Sequence, residues 1–320
     1  MRKDFAVPDF VVSHTPEWLD YFGRQGHDPT PLAAGVEGAI YDLGGRLVAK
    51  VWRDRPVPEL ERMQRFYADV ASAYLPFSTP EILRIEQVNG TSVTYERKLP
   101  GQPLQHRLDV ADRDLSPAAV KCVTSVLRAL AAVPATASMR ELAALDESRP
   151  LWGRADRFRD ALLGLIERRT ARFGPVLRDR LPDFNRRCTA LRGRLGTLDY
   201  LPDTVIHGDL FGENILVDQQ CNPTAVLDFG FLTTAGDPRF DAAITAAVMN
   251  MYGPHALSIT QALTARIAQE LGYAPDVLLT YQAAYAGITS NAFTSDGSDG
   301  HFAWCIAQLQ RADVSEAIGL

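Results

Sequence analysis

The chain has 320 residues, a formal net charge of −6, 46% hydrophobic residues and 22% charged residues. Those values belong to an ordinary soluble globular protein with room for two lobes, each with its own core. They argue against a basic nucleic-acid-binding domain, and no apolar run approaches the roughly 18 residues that span a bilayer. The start of the chain, Met1 to Asp4, is followed by no apolar segment, so no signal peptide is expected. Four scattered cysteines (Cys122, Cys188, Cys221, Cys305) make neither a CxxC pair nor a metal spacing. They read as reduced thiols of a cytoplasmic protein.

In chain order, Thr15 and Pro16 open a short helix carrying Trp18, Leu19 and Phe22 on one face. Strands are expected at residues 32–38, 39–43 and 46–52, punctuated by Gly35, Gly38 and the Gly44-Gly45 turn. Pro58 fits the first turn of a helix with Met63, Phe66, Tyr67 and Val70 as its apolar stripe. Residues 82–88 and 91–97 read as a hairpin around Asn89-Gly90, a dipeptide that favours a tight primed turn. Beyond a linker at Leu99 to Pro103 the chain turns helical. Helices are expected at 116–132, 154–172, 176–194, 239–252, 258–271, 276–290 and 302–316. Short strands interrupt them near 205–206, 215–217 and 225–227. A small β-rich lobe, residues 1–98 with residues 1–30 as an extension, therefore precedes a larger helical lobe, residues 99–320.

Basic residues comprise 29 Arg and 4 Lys, so each lysine draws attention. Residues 149–194 carry 13 Arg against 5 acids, a pattern of solvated helix faces. Residues 270–320 carry six acids and a single Arg, Arg311.

The segment Val205 to Val217 holds a His-x-Asp, His207-Gly208-Asp209, on a loop between apolar runs, and Asn214 follows five residues after Asp209. Asp228 opens Asp228-Phe229-Gly230 after the apolar run Ala225 to Leu227. Phosphoryl transfer needs a group to orient an acceptor hydroxyl and hard oxygen ligands to hold metal ions on the phosphates. One Asp can do the first; an Asn and a second Asp can do the second.

This stretch resembles the catalytic and metal loops of the protein-kinase-like fold. It is especially similar to the aminoglycoside phosphotransferase (choline/aminoglycoside kinase-like) family, whose motif reads His-Gly-Asp-Leu-x-x-x-Asn. The match covers His207, Gly208, Asp209, Leu210 and Asn214, then Asp228. The resemblance implies an α+β, protein-kinase-like fold with one helix in its small β-rich lobe, and ATP and Mg²⁺ as cofactors. It makes Asp209 the catalytic base, Asn214 and Asp228 Mg²⁺ ligands, and His207 a buttress of the loop. Protein kinases are disfavoured: only Phe231 to Ala235 separate Asp228-Phe229-Gly230 from Gly236-Asp237-Pro238, and no Ala-Pro-Glu follows. Asp237 reads as a helix cap and Asp241 as a support of the catalytic loop.

On the nucleotide side, Lys50 ends a strand among apolar neighbours and resembles the kinase lysine that binds the α and β phosphates. Its expected helix partner is Glu59, with Gln64 as the alternative. Gly35 and Gly38 belong to the candidate phosphate loop. Main-chain groups near Glu96, Arg97 and Lys98 fall where the family's hinge would contact adenine.

The expected acceptor is a hydroxyl of a small polar molecule. The acidic C-terminal region suggests a cationic one, with Asp296 and Asp299 as contacts. An aminoglycoside or similar antibiotic heads the reading. A metabolic choline, amino-alcohol or sugar kinase, or an inactive nucleotide-binding scaffold, are the alternatives.

Overall fold

The structure, a computed structural model, describes residues 14–35, 37–108 and 114–320. The expected absence of a signal peptide concerns residues outside that range, as does Val36 of the candidate phosphate loop. By internal contacts the chain divides into two units. One runs up to Gly101 and takes in Thr224–Leu227; the other comprises Gln102–Pro223 and Asp228–Leu320.

In the first unit, helix α1 (Pro16–Arg24) leads to strands β1 (Thr30–Ala34), β2 (Gly38–Asp42) and β3 (Leu47–Trp52), helix α2 (Val57–Ala71), and strands β4 (Ile82–Val88) and β5 (Thr91–Arg97). Pro16 sits in the first turn of α1, yet the Thr15 side chain makes no capping bond. The backbone carbonyl of Thr15 accepts the Trp18 N–H instead, at 3.2 Å. The five strands form one antiparallel sheet in the order β1-β2-β3-β5-β4. The hairpin between β4 and β5 turns at Asn89 and Gly90, both at positive φ (51° and 85°), as a primed turn requires.

Alternation along the strands gives the sheet two faces. Ala39, Tyr41, Ala49, Val51, Val93 and Tyr95 form a buried cluster with Phe22 of α1. Phe22 is fully buried, its ring 5.4 Å from Tyr41 and 6.2 Å from Tyr95. The residues between them in sequence, Lys50, Trp52 and Thr94, take the opposite face. Helix α1 is thus part of this unit's core rather than an appendage to it. Thr224–Leu227 joins the same unit through Ser78, whose N–H donates to the Thr224 carbonyl at 2.9 Å.

The second unit begins with β6 (Gln102–Pro103) and a 3₁₀ turn at Leu104–Arg107. Then follow helices α3 (Pro117–Leu130), α4 (Ala137–Arg140), α5 (Phe158–Arg180) and α6 (Phe184–Gly196). Strands β7 (Thr204–Ile206), β8 (Ile215–Val217), β9 (Pro223–Val226) and β10 (Thr234–Gly236) come next; most of β9 belongs to the first unit. Helices α7 (Pro238–Val248), α8 (Ala256–Leu271), α9 (Pro275–Thr289), α10 (Gly300–Gln310) and α11 (Ala312–Ala317) complete the chain. Every residue of α7 from Arg239 to Val248 is buried, and α9 packs beside it through Phe240 and Tyr281, whose rings lie 5.5 Å apart.

Several helix boundaries differ from expectation: α7 ends at Val248 rather than near 252, α4 was not foreseen, and two differences have a clear physical cause. The break foreseen between 172 and 176 is absent, because α5 runs through Pro175. A proline inside a helix costs about 3 kcal/mol, but Phe173 and Leu177 on either side are buried and offset that cost. The helix stops at Leu181, just before Pro182. The single C-terminal helix expected at 302–316 is two, split at Arg311. The buried Arg311 guanidinium donates to Gln282 and Gln308 at 3.0 and 2.7 Å and pairs with Asp313 at 2.7 Å. Among the described residues no helix is long and apolar enough to cross a membrane.

The place of α1 in the core gives a direct test. Phe22→Ala should lower the unfolding free energy by about 3–5 kcal/mol, measured by denaturant titration. A loss under 1 kcal/mol would show α1 to be dispensable.

Candidate active site

The catalytic-loop residues are organised by a buried carboxylate on α7. Strand β7 delivers the chain to His207, where the pairing with β10 ends at Ile206 opposite Thr234. Asp241 then accepts two consecutive main-chain N–H groups, from His207 at 3.0 Å and from Gly208 at 2.9 Å. Burial pushes the Asp241 carboxyl above its usual range, and the two N–H donors and the nearby His207 work against that. Gly208 must be glycine for two reasons. Its φ is +78°, and an added Cβ would lie 2.5 Å from the Leu232 backbone.

His207 is fully buried. Its Nδ1 accepts the Asp209 N–H at 3.2 Å, its carbonyl accepts the Thr233 hydroxyl at 2.7 Å, and its ring centroid lies 4.4 Å from that of Phe229. The imidazole therefore braces the loop at both Asp209 and the residue after Asp228. Asp237 caps α7, accepting the Arg239 N–H at 2.9 Å, and also takes the Tyr281 hydroxyl at 2.7 Å.

Asn214 donates its Nδ2 to the Asp209 carbonyl at 2.9 Å. That bond fixes the amide orientation and leaves Oδ1 as the acceptor end of the amide. Asp228 is exposed and adopts φ +59°, a left-handed conformation that Asp tolerates better than most residues. One amide oxygen and one carboxylate are hard donors suited to Mg²⁺, which takes few protein ligands and completes its shell with water and phosphate oxygens. No cluster of three or more His, Cys, Asp or Glu occurs among the described residues.

Near Asp209 lies an aromatic group that the sequence did not single out. The Asp209 charge acts on Tyr252 and Tyr285, whose hydroxyl pKa values burial already raises. The Tyr252 hydroxyl lies 3.2 Å from Nδ1 of His301, and Nε2 of His301 lies 3.1 Å from the Thr289 hydroxyl. Phe293, half exposed, stacks on Phe231 at 6.1 Å and meets His301 edge-on at 5.1 Å.

The two carboxylates expected to contact a cationic acceptor also serve their own loop and helix. Asp299 is the N-cap of α10, accepting the Phe302 N–H at 2.8 Å and the Thr294 hydroxyl. Asp296 accepts the Ser298 N–H at 3.1 Å. Glu270, Asp276 and Asp313 pair with Arg128, Arg194 and Arg311. Five of the six acids are thus engaged by caps, a turn or arginines, two of those arginines, Arg128 and Arg194, coming from other parts of the same unit.

In the first unit, Lys50 on β3 pairs with Glu37, not with Glu59. Lys50 Nζ lies 2.9 Å from Glu37 Oε2 and 3.8 Å from the Trp52 ring centroid. Among the described residues Glu59, in the first turn of α2, forms no ion pair, and Gln64 donates to the Ile82 carbonyl at 2.8 Å. Neither helix residue fills the role expected of it. The hairpin between β1 and β2 brings Glu37 to the lysine first. The second Glu37 oxygen takes Arg55 Nη2 at 2.9 Å. Burial would raise the Glu37 carboxyl, but Lys50 and Arg55 prevail and hold it below its ordinary value.

Gly35 and Gly38 close this hairpin, the Gly35 N–H donating to the Gly38 carbonyl at 3.0 Å. A Cβ on Gly38 would lie 2.1 Å from the Val51 carbonyl oxygen, so that glycine serves close strand packing. The expected hinge segment has two of its main-chain donors engaged. The N–H groups of Arg97 and Lys98 already donate to Glu81 and Arg46 carbonyls, at 3.2 and 2.9 Å. Their side chains pair with Glu81 and Asp42, and Glu96 accepts the Thr94 hydroxyl at 2.6 Å. The next main-chain donor along the chain is Leu99.

Two expectations follow from the loop and its surroundings. Asp241→Ala strands two buried N–H groups, each costing about 1–3 kcal/mol. It should destabilise the protein by about 2–5 kcal/mol in a denaturant titration, and native stability in that variant would contradict the anchoring role. Burial also holds His301 down to a pKa of about 4. A depressed base is neutral in both folded and unfolded states at neutral pH. As pH falls below about 6.5 the unfolded chain takes up the proton and the folded one does not. Stability should therefore decline between about pH 6.5 and 4, by up to about 3 kcal/mol, and His301→Gln should flatten that part of the profile.

Comparison with known proteins bears on family and fold. The family model described as "Phosphotransferase enzyme family" (APH) matches residues 28–280. A search of the curated proteins finds no match. Among solved structures, the aminoglycoside phosphotransferase APH(3'')-Id of Streptomyces rimosus is 17% identical, with TM-score 0.57 over 87% of this chain and 99% of that one. The macrolide 2'-phosphotransferase MphH of Brachybacterium faecium is 20% identical, with TM-score 0.55 over 92% and 98%. Aminoglycoside 2'-phosphotransferase-IIIa is 15% identical, with TM-score 0.58 over 91% and 95%. At these identities the structural likeness speaks for a shared kinase-like fold, whereas the family match spans most of the sequence. The chain belongs to the APH phosphotransferase enzyme family and is a kinase-type enzyme with a hydroxyl acceptor.

Proposed function

We propose that the protein transfers the γ-phosphate of ATP to a hydroxyl of a small antibiotic-like molecule, with an aminoglycoside as the first candidate. The observation that carries this reading is the braced loop, in which Asp241 and His207 hold the backbone of Asp209 while Asn214 bonds the Asp209 carbonyl. The Asp209 carboxylate accepts the proton of the acceptor hydroxyl as its oxygen bonds to the γ-phosphorus and the bond to the departing ADP oxygen breaks. Asn214 and Asp228 would hold Mg²⁺, which supplies charge neutralisation on the phosphates when bound. Lys50 contributes a positive charge to the α and β phosphates.

Support for nucleotide and antibiotic ligands comes from relatives of the same fold. APH(3'')-Id has been solved with ADP and streptomycin, and APH(2'')-IIIa with GDP and kanamycin. One observation favours a second acceptor class. The exposed Phe293 stacked on Phe231 offers an apolar face, while the acidic side chains Asp296 and Asp299 are engaged locally. Macrolide-type acceptors, which present more apolar surface than aminoglycosides, belong in the same assay.

Incubation with ATP, Mg²⁺ and a panel of aminoglycosides, macrolides, choline, nucleosides and sugars should leave one added phosphate on one acceptor class, read by mass spectrometry. Asp209→Ala should lower kcat by about 10²–10⁴ with ATP affinity little changed. ATP binding with no transfer to any hydroxyl would instead support the scaffold reading.

A further inference from the structure

Glu37 sits at the tip of the β1–β2 hairpin, its carbonyl accepting the Arg53 N–H at 2.9 Å. Its two carboxylate oxygens are divided between two cations: Oε2 takes Lys50 Nζ and Oε1 takes Arg55 Nη2, each at 2.9 Å. Both cations also lie over the Trp52 ring, at 3.8 and 5.0 Å from its centroid. The group is partly withdrawn from water, with the Lys50, Arg55 and Glu37 side chains 13%, 26% and 35% exposed. Screening is therefore weaker than at an open surface. An anion bridging an ammonium and a guanidinium through two oxygens is also what a phosphate group would do with the same pair.

We propose that Glu37 is an internal stand-in for phosphate. In the nucleotide-free protein its carboxylate holds Lys50 and Arg55, and a nucleotide's phosphates take over both cations by displacing it. The inference rests on the reading of Lys50 as a phosphate ligand. It adds Arg55 as a second phosphate-binding cation and gives Glu37 the role of competitor.

Charge favours exchange over a permanent clamp. A carboxylate that stayed between the two cations would face the phosphates as a like charge at close range. A triphosphate carries several negative charges and wins the contest for the pair. Only the Glu37 side chain need turn away, because its backbone carbonyl stays bonded to the Arg53 N–H at 2.9 Å.

Calorimetric titration of the full chain with ATP and with adenosine tests this. Glu37→Gln keeps the shape and removes the competing charge. It should bind ATP about five- to tenfold more tightly and adenosine as the wild type does. Lys50→Ala and Arg55→Ala should each weaken ATP and leave adenosine unchanged. Weaker or unchanged ATP binding in Glu37→Gln, or loss of its adenosine binding, would overturn the competitor role. Unchanged ATP binding in Lys50→Ala would overturn the phosphate-ligand reading beneath it, whatever Glu37→Gln does. Unchanged ATP binding in Arg55→Ala alone would remove Arg55 and the exchange with it.

Discussion

A single buried carboxylate, Asp241, governs the geometry of the catalytic loop. It accepts the N–H groups of His207 and Gly208, and in doing so ties the loop to the most deeply buried helix of its unit. Its charge is costly in that position, as the raised pKa records. The cost is met by two charge-assisted hydrogen bonds and a nearby imidazole. The rest follows from this anchor. Gly208 must be glycine, His207 must turn inward, and Asp209 is presented with its backbone already engaged on both sides. Such a loop needs little reorganisation when an acceptor arrives, which is what electrostatic preorganisation asks of a site.

The loop's arrangement was legible because it is local. His207, Asp209, Asn214 and Asp228 lie within 22 positions of one another, so their order and spacing survive in a one-dimensional reading. Asp237 and Asp241 follow closely, and the cap on α7 could be read from Asp237-Pro238. The nucleotide side was less legible, because its partnerships come from strand register. Glu37 meets Lys50 only because β2 and β3 pair with Gly38 opposite Trp52, which sets the hairpin tip beside the end of β3. A search for a helix carboxylate after Lys50 could not find a residue that precedes it.

Charge counts hide local partnerships for a related reason. Six acids in the last 51 residues looked like a surface for a polycation. Two of them pair with arginines distant in sequence, one with Arg311 two residues before it, one caps a helix and one closes a turn. Similarly, α1 looked like an appended helix because its partners, Tyr41 and Tyr95, lie far along the chain. Pro175 looked like a helix end because burial of Phe173 and Leu177 is invisible to local propensity. In each case a long-range contact overrode a sound local rule.

The central claim is that Asp209, held by this anchor, drives transfer of the terminal phosphate to a hydroxyl. A single-turnover experiment with terminally labelled ATP, comparing the wild type with Asp209→Asn at matched nucleotide occupancy, tests it most directly. The account predicts label on the acceptor hydroxyl in the wild type and, in the variant, bound nucleotide with transfer slowed by at least about a hundredfold. Equal transfer rates in the two proteins, or release of the label as free phosphate with every acceptor present, would contradict it.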